Sequence, residues 1–166
     1  MYLALLKGEQ SHGQAYIDSM MQISKQNFEN KNIIITSVIT LTEVLSSSLT
    51  TEQEEAFLKT FKATNHTLYD VDYAIARKAR QFREAFLNHQ SGKTLATPDA
   101  IHAATAVIYQ ADEMHTFDDG QKNKKFLGLL ELSSNSSLDN LLICKPFIPP
   151  PTEPPEVQQT LIPDSN

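Results

Sequence analysis

Short apolar or β-branched runs alternate with longer segments of helical period along most of this chain, and that alternation limits the fold more than any other feature. The run Asn32-Ile33-Ile34-Ile35-Thr36 is too short for a helix and suits a strand buried on both faces. Thr67–Val71, Glu113–Phe117 and Leu141–Cys144 are further strand candidates. Between them lie helical segments. Ser11 to Asn27 turns Ala15, Met20 and Ile23 inward, and Val38 to Ser48, capped by Ser37, is apolar at Val38, Leu41, Val44 and Leu45. Thr51 and Glu54 have the spacing of a capping box opening a helix with Phe57, Leu58 and Phe61 inward. Asp72 caps Tyr73 to His89, where Ile75, Ala79, Phe82 and Phe86 recur at helical spacing, while Arg77, Arg80 and Arg83 fall on a solvated face. Strands alternating with helices predict an α/β fold with a largely parallel sheet, whose sites form at the carboxyl ends of the strands.

The most distinctive helix start is Thr97-Pro98-Asp99-Ala100-Ile101-His102-Ala103-Ala104-Thr105-Ala106. Thr97 offers an N-cap hydroxyl, Pro98 suits the first helical position, and Asp99 puts a carboxylate where the helix dipole favours negative charge. The alanines make a thin helix that packs closely on its neighbours. The segment Lys122 to Leu130 is expected to form a short basic helix after the turn signal Asp118-Asp119-Gly120.

The chain of 166 residues is long enough for one domain with its own core, expected over 1–145. From Pro146 onward seven of the eight prolines gather with three acids and no Lys or Arg, so residues 146–166 read as an extended or disordered tail. The net charge of −6 argues against bulk attraction to nucleic acid, but without that tail the body carries only −3. A carboxylate cluster that recruits metal makes a nuclease acidic by itself, so charge does not separate the classes. No apolar run approaches a membrane span, and the first residues lack a signal peptide's basic start and cleavage site. Cys144 is the only cysteine, which excludes an intrachain disulfide and points to a reducing cytoplasm; its plain reading is a small apolar residue in a strand.

Glu43, Asp99 and Asp118 lie at helix or strand ends far apart in sequence. Converging, they suit Mg2+ or Mn2+, hard cations that take carboxylate, water and phosphate oxygens. Each has a structural reading too: Asp99 as a first-turn residue, Asp118 or Asp119 as turn formers, Glu43 as a solvated helix position. Spacing alone leaves the two readings open. His102 reads as a surface histidine or one that supports a ligand.

The segments Ile39-Thr40-Leu41-Thr42-Glu43-Val44, Thr97 to Ala106 and Met114-His115-Thr116-Phe117-Asp118 together resemble PIN-domain proteins, of the kind found as VapC-type toxins of toxin–antitoxin pairs. The likeness runs from about Met1 to Pro146, and the second segment is its most specific part. It implies a three-layer α/β/α fold. It also implies a carboxylate cluster, with Glu43, Asp99 and Asp118 in its places, that binds Mg2+ or Mn2+ and hydrolyses RNA by activating water. The implied partners are an RNA substrate, a cognate antitoxin and a second copy of the chain. Lys122, Lys124 and Lys125 lie where they could steer phosphates, or serve solubility alone.

The sequence departs from that pattern at the front. The family's cluster opens with an aspartate ending a first, central strand, and the resemblance implies that this strand and acid are missing here. The expectation is a three-acid site with little or no activity. The alternative is a non-catalytic binding module that engages an antitoxin or itself through the apolar Tyr2–Leu6 and Ser11–Asn27 segments. An α/β phosphotransfer protein is disfavoured, since no Gly-rich phosphate loop appears.

Overall fold

A computed structural model describes residue 6 and residues 13–121 and 124–148. The expected apolar piece Tyr2–Leu6, except Leu6, lies outside the described residues, as do Lys122 and residues 149–166 of the proline-rich segment. The elements run α1 (Gln14–Phe28), β1 (Ile34–Ser37), α2 (Ile39–Leu45), α3 (Thr51–Thr60), β2 (His66–Tyr69), α4 (Tyr73–Ala85), α5 (Thr97–Ile108), β3 (Met114–His115), two 3-10 turns (Leu129–Leu132 and Ser136–Leu138) and β4 (Ile143–Cys144).

The chain is an α/β protein with parallel pairing throughout its strands. β1 pairs with β2, Ile34 opposite His66 and Ser37 opposite Tyr69, and β3 pairs with β4, His115 opposite Cys144. Among the described residues these are two separate two-stranded sheets, and no strand joins β1 to β3. Helix α1 bridges the two halves. Asn27 near its end donates to the carbonyls of Asn32 and Asn65, at 3.2 and 2.7 Å, beside β1 and β2. Nearer its start, Tyr16 meets Phe117 edge-on at 5.8 Å, and Ser19 Oγ accepts from Ile148 N. Pro146 is fully buried, so the folded body reaches at least Ile148.

The core is built by α5 against α4. Ala100, Ala103 and Ala104 are completely buried, and their small side chains let α5 approach Ile75, Ala79 and Phe82 of α4. Leu95, Leu127, Leu129 and Leu138 close the far side of this cluster. The same helix also touches β1, and this contact carries the α5 side chains toward the end of β1 and the start of α2.

Several local expectations shift by a residue or change type. The α3 capping box is Thr50 with Gln53, not Thr51 with Glu54: Thr50 has the extended backbone an N-cap needs, and Thr51 is already helical. Ala96, not Thr97, caps α5, because the Ala96 carbonyl accepts the first helical bond from Ala100; Thr97 and Pro98 are the first two helical residues. Ser37 closes β1, and its buried hydroxyl makes no cap bond to α2. The expected basic helix from Lys122 to Leu130 is absent in the described part. There the chain bends at Lys124 and Lys125 and Phe126 bridges to Thr94, with Leu127 N donating to Thr94 O at 3.0 Å, and only Leu129–Leu132 turns as a 3-10 helix. Asp72 caps α4 as expected, accepting from Ile75 N at 2.9 Å.

Candidate active site

Asp99 enters the site through the way α5 begins. Pro98 fixes a helical φ at the second position, where its missing N–H costs nothing, and the carboxylate of Asp99 then lies in the first turn beside the unpaired amides. One turn later on the same face, His102 reaches across to α2, its Nε2 standing 2.8 Å from Glu43 Oε2. An ionised carboxylate only accepts, so the imidazole Nε2–H is the donor. Burial opposes the charge on Glu43, but the bond to His102 outweighs it and holds the Glu43 carboxyl below its ordinary pKa. The contact α5 makes with β1 therefore ends in a specific polar link between α5 and α2.

Asp118 is placed by its own turn and by the chain that returns past it. Its backbone N–H donates to Thr116 Oγ1 at 3.1 Å. Its Oδ1 accepts from Gly120 N at 3.1 Å and its Oδ2 from Leu129 N at 3.2 Å, so each oxygen holds one backbone amide and keeps further lone pairs. The turn reading and the ligand reading of Asp118 are thus compatible. The fit is tight: a Cβ on Gly128 would collide with Gly120 N and Asp119 C, backbone against backbone. Asp119 points elsewhere and accepts from Gln121 N.

Asp99 carries the clearest electrostatic mark. Burial raises its pKa to about 6, nearby Asp118 and, to a lesser degree, Glu43 push the same way, and His102 opposes them. Asp99, Asp118 and Glu43 therefore share one electrostatic neighbourhood. They are not drawn into a closed cage. Among the described residues, the side chains whose ligand atoms all fall within 4.8 Å of one another are Glu113, His115 and Cys144.

The donor set fits a hard divalent cation. It is made of carboxylate oxygens, two of the three acids are at least partly buried, and burial, with the repulsion of neighbouring Asp118 added, makes the charged form of Asp99 costly. A cation among them would remove that repulsion. Glu43, Asp99 and Asp118 offer the carboxylate oxygens for such an ion, without standing close enough together to enclose it.

The sequence leaves His102 open between a surface residue and one that supports a ligand, and the structure makes it the link between Asp99's helix and Glu43; the Glu113–His115–Cys144 group is not foreseen at all. The signal for the second was present as Glu-x-His on one expected strand and Cys on another, but only strand pairing brings them together. Among the described residues, no helix is long and apolar enough to cross a membrane.

The sequence profile of the PIN domain matches residues 18–127. Neither curated proteins nor solved structures give a match to this chain. The profile runs from within α1 to just past the Thr94–Phe126 bridge and takes in Glu43, Asp99 and Asp118. Covering well over half of its length, that match makes the chain a member of the PIN-domain family.

Proposed function

We propose that this chain is a metal-dependent endoribonuclease of the VapC toxin type, cytoplasmic and dimeric, acting on RNA phosphodiesters with low activity from its three-acid site and controlled by a cognate antitoxin. Membership in the PIN-domain family supports nuclease-type chemistry in general. The observation that carries the specific reading is the shared field of Glu43, Asp99 and Asp118 around the start of α5. Mg2+ or Mn2+ supplies, when bound, a Lewis acid that neutralises charge on the phosphodiester and lowers the pKa of water. The chain's own part is positional. Asp99 presents its carboxylate from a rigid helix start, His102 orients Glu43, and the amides of Gly120 and Leu129 fix Asp118. Lys93, whose ammonium donates to Gly120 O, together with exposed Lys124 and Lys125, adds positive charge near the Asp118 loop where RNA phosphates would approach.

A second reading, a binding module without catalysis, draws on the open spread of the three acids and on the apolar surface of the first half. Met21 and Phe28 of α1 and the neighbouring Ile33 are 58, 66 and 72% exposed, a surface suited to an antitoxin segment or a second copy. Incubation of end-labelled RNA with the full chain and Mn2+ separates the two. Cleavage that needs Mn2+ and disappears in both Asp99→Asn and Asp118→Asn supports the enzyme. Metal binding with no cleavage supports the module, and cleavage that persists in both variants overturns the assigned site.

A further inference from the structure

A second cluster of metal-ligating side chains sits on the β3–β4 pair, on residues the carboxylate site does not use. Glu113 and His115 are two residues apart, so their side chains leave the chain on one face. Cys144 is the register partner of His115 on the neighbouring parallel strand and projects to the same face. The three side chains meet there. His115 Nε2 lies 2.7 Å from Glu113 Oε1, and the Cys144 thiol donates to Glu113 Oε2 across 3.6 Å. One imidazole nitrogen, one sulfur and one carboxylate oxygen all fall within 4.8 Å of one another, with Glu113 exposed and the other two half-buried.

We propose that Glu113, His115 and Cys144 form a Zn2+ site, chemically distinct from the carboxylate centre. The donors decide the metal: thiolate and imidazole favour a borderline-soft ion over Mg2+ or Mn2+, and one carboxylate completes a set known from tetrahedral zinc. Tetrahedral bonds of about 2.0 Å to nitrogen and oxygen and about 2.3 Å to sulfur set the donors roughly 3.5 Å apart. Binding replaces the thiol proton with the metal, releasing that proton to solvent, and leaves the imidazole neutral. Three protein donors leave a fourth position for water.

The consequence is structural. β3 and β4 are only two residues each, joined by the bonds from Met114 N to Leu142 O and Thr116 N to Cys144 O. A pair this short is marginal by itself. A metal shared by Glu113, His115 and Cys144 ties β4 to the strand that leads directly into Asp118.

Titration of the full chain with Co2+, a coloured stand-in for Zn2+, tests the site. At one equivalent it should give a sulfur-to-cobalt charge-transfer band with the strong visible absorption of a tetrahedral ion, and Zn2+ should displace it. The band should vanish in Cys144→Ser. Affinity should fall at least tenfold in Glu113→Gln, at an exposed position, and in His115→Ala, and stay unchanged in Asp99→Asn. Zn2+ should also raise the unfolding temperature of the wild-type chain and not of Cys144→Ser. A pale octahedral spectrum without a sulfur band overturns the proposal. So does a sulfur band whose affinity ignores His115→Ala and Glu113→Gln, which would mean a thiol binding alone.

Discussion

His102 Nε2 donates to Glu43 Oε2 at 2.8 Å, joining the helix that carries Asp99 to the helix that carries Glu43. The bond stabilises the charged form of Glu43, and the same imidazole lowers the pKa of Asp99 when it is charged. Removing it therefore makes both carboxyls easier to protonate. His102→Ala is expected to weaken Mn2+ binding by roughly fivefold at pH 8, about 1 kcal/mol for a partly exposed charged hydrogen bond, and by more at pH 6. His102→Gln keeps an N–H donor and should lose less. Calorimetric titration with Mn2+ at the two pH values checks this; equal losses at both would show that His102 acts only by packing.

Asp99 and His66 give opposite pH dependences. The folded pKa of Asp99 is raised from 3.8 to about 6, so its contribution favours the folded state below about pH 3.8 and is lost as pH rises through 6. His66 is buried beside Thr36, its Nε2 2.9 Å from the hydroxyl, and burial lowers its pKa below 6.5. Its contribution is present above pH 6.5 and is lost as pH falls, because the unfolded chain takes the proton first. The two trends partly cancel in the wild-type chain. Asp99→Asn should raise stability at pH 7.5 by up to about 3 kcal/mol, the equivalent of two pKa units, and should leave a steeper loss on acidification toward pH 5. Urea unfolding across pH 5 to 8 measures both, and parallel profiles for the two proteins would contradict the assignment.

What the sequence makes legible is local. The apolar spacing of Ile75, Ala79 and Phe82, the Asp72 cap and the first-turn place of Asp99 all rest on neighbours within a turn or two, and all three stand. The errors arise where a choice depends on distant chain. Thr50–Gln53 and Thr51–Glu54 satisfy the same capping pattern, and only the entry direction of the backbone selects the first. The residues before Leu129 pair with Thr94, more than thirty positions away, and that pairing overrides the helical reading. Cys144 looks like a plain strand residue until β3 is set beside β4 and His115 stands opposite it. The candidate acids could be named only from the resemblance to the PIN-domain family, and their common neighbourhood follows from α5 packing on β1, which no single segment encodes.

Cys144 should be a slow nucleophile in the metal-free chain. Burial, and then the Glu113 carboxylate beside it, push its thiol pKa up to about 11, so little thiolate exists at pH 8. Alkylation by iodoacetamide at pH 8 should run at least tenfold slower than for an unstructured cysteine peptide. Glu113→Gln should speed it up by removing the negative charge. Mass spectrometry of the single-cysteine chain over time reads both rates, and an unchanged rate in Glu113→Gln would mean that burial alone governs the thiol.

Core packing separates stability from the site. Ala104 is fully buried where α5 meets α4, in the cluster with Ile75 and Phe82. Ala104→Leu adds three carbons to a filled contact, and overpacking of this kind costs about 1–3 kcal/mol. Asp99 and His102 lie on the same helix, so any tilt forced on α5 should also reduce Mn2+ affinity. A variant destabilised in urea with unchanged Mn2+ binding would show that the site tolerates movement of α5.

Gly128 tests how the Asp118 loop is held. Its φ of −79° suits any residue, so conformational freedom is not the reason for glycine here. Close approach is. A Cβ would meet the backbone of Asp119 and Gly120, and backbone atoms cannot rotate aside as a side chain can. Relief requires the Asp118–Gly120 turn and the Gly128–Leu130 chain to separate, stretching the bonds from Leu129 N to Asp118 Oδ2 and from Leu130 N to Asp118 O. Gly128→Ala should therefore cost about 1–3 kcal/mol in urea unfolding. It should also weaken Mn2+ binding beyond what the stability loss predicts, since the displaced group is the Asp118 carboxylate itself. Gly92→Ala provides the contrast: beyond its chain neighbours no atom stands within 4 Å of the added Cβ, and only the positive φ of 70° is strained. That variant should lose stability without losing Mn2+ affinity, and equal metal-binding losses in the two variants would remove Asp118 from the site.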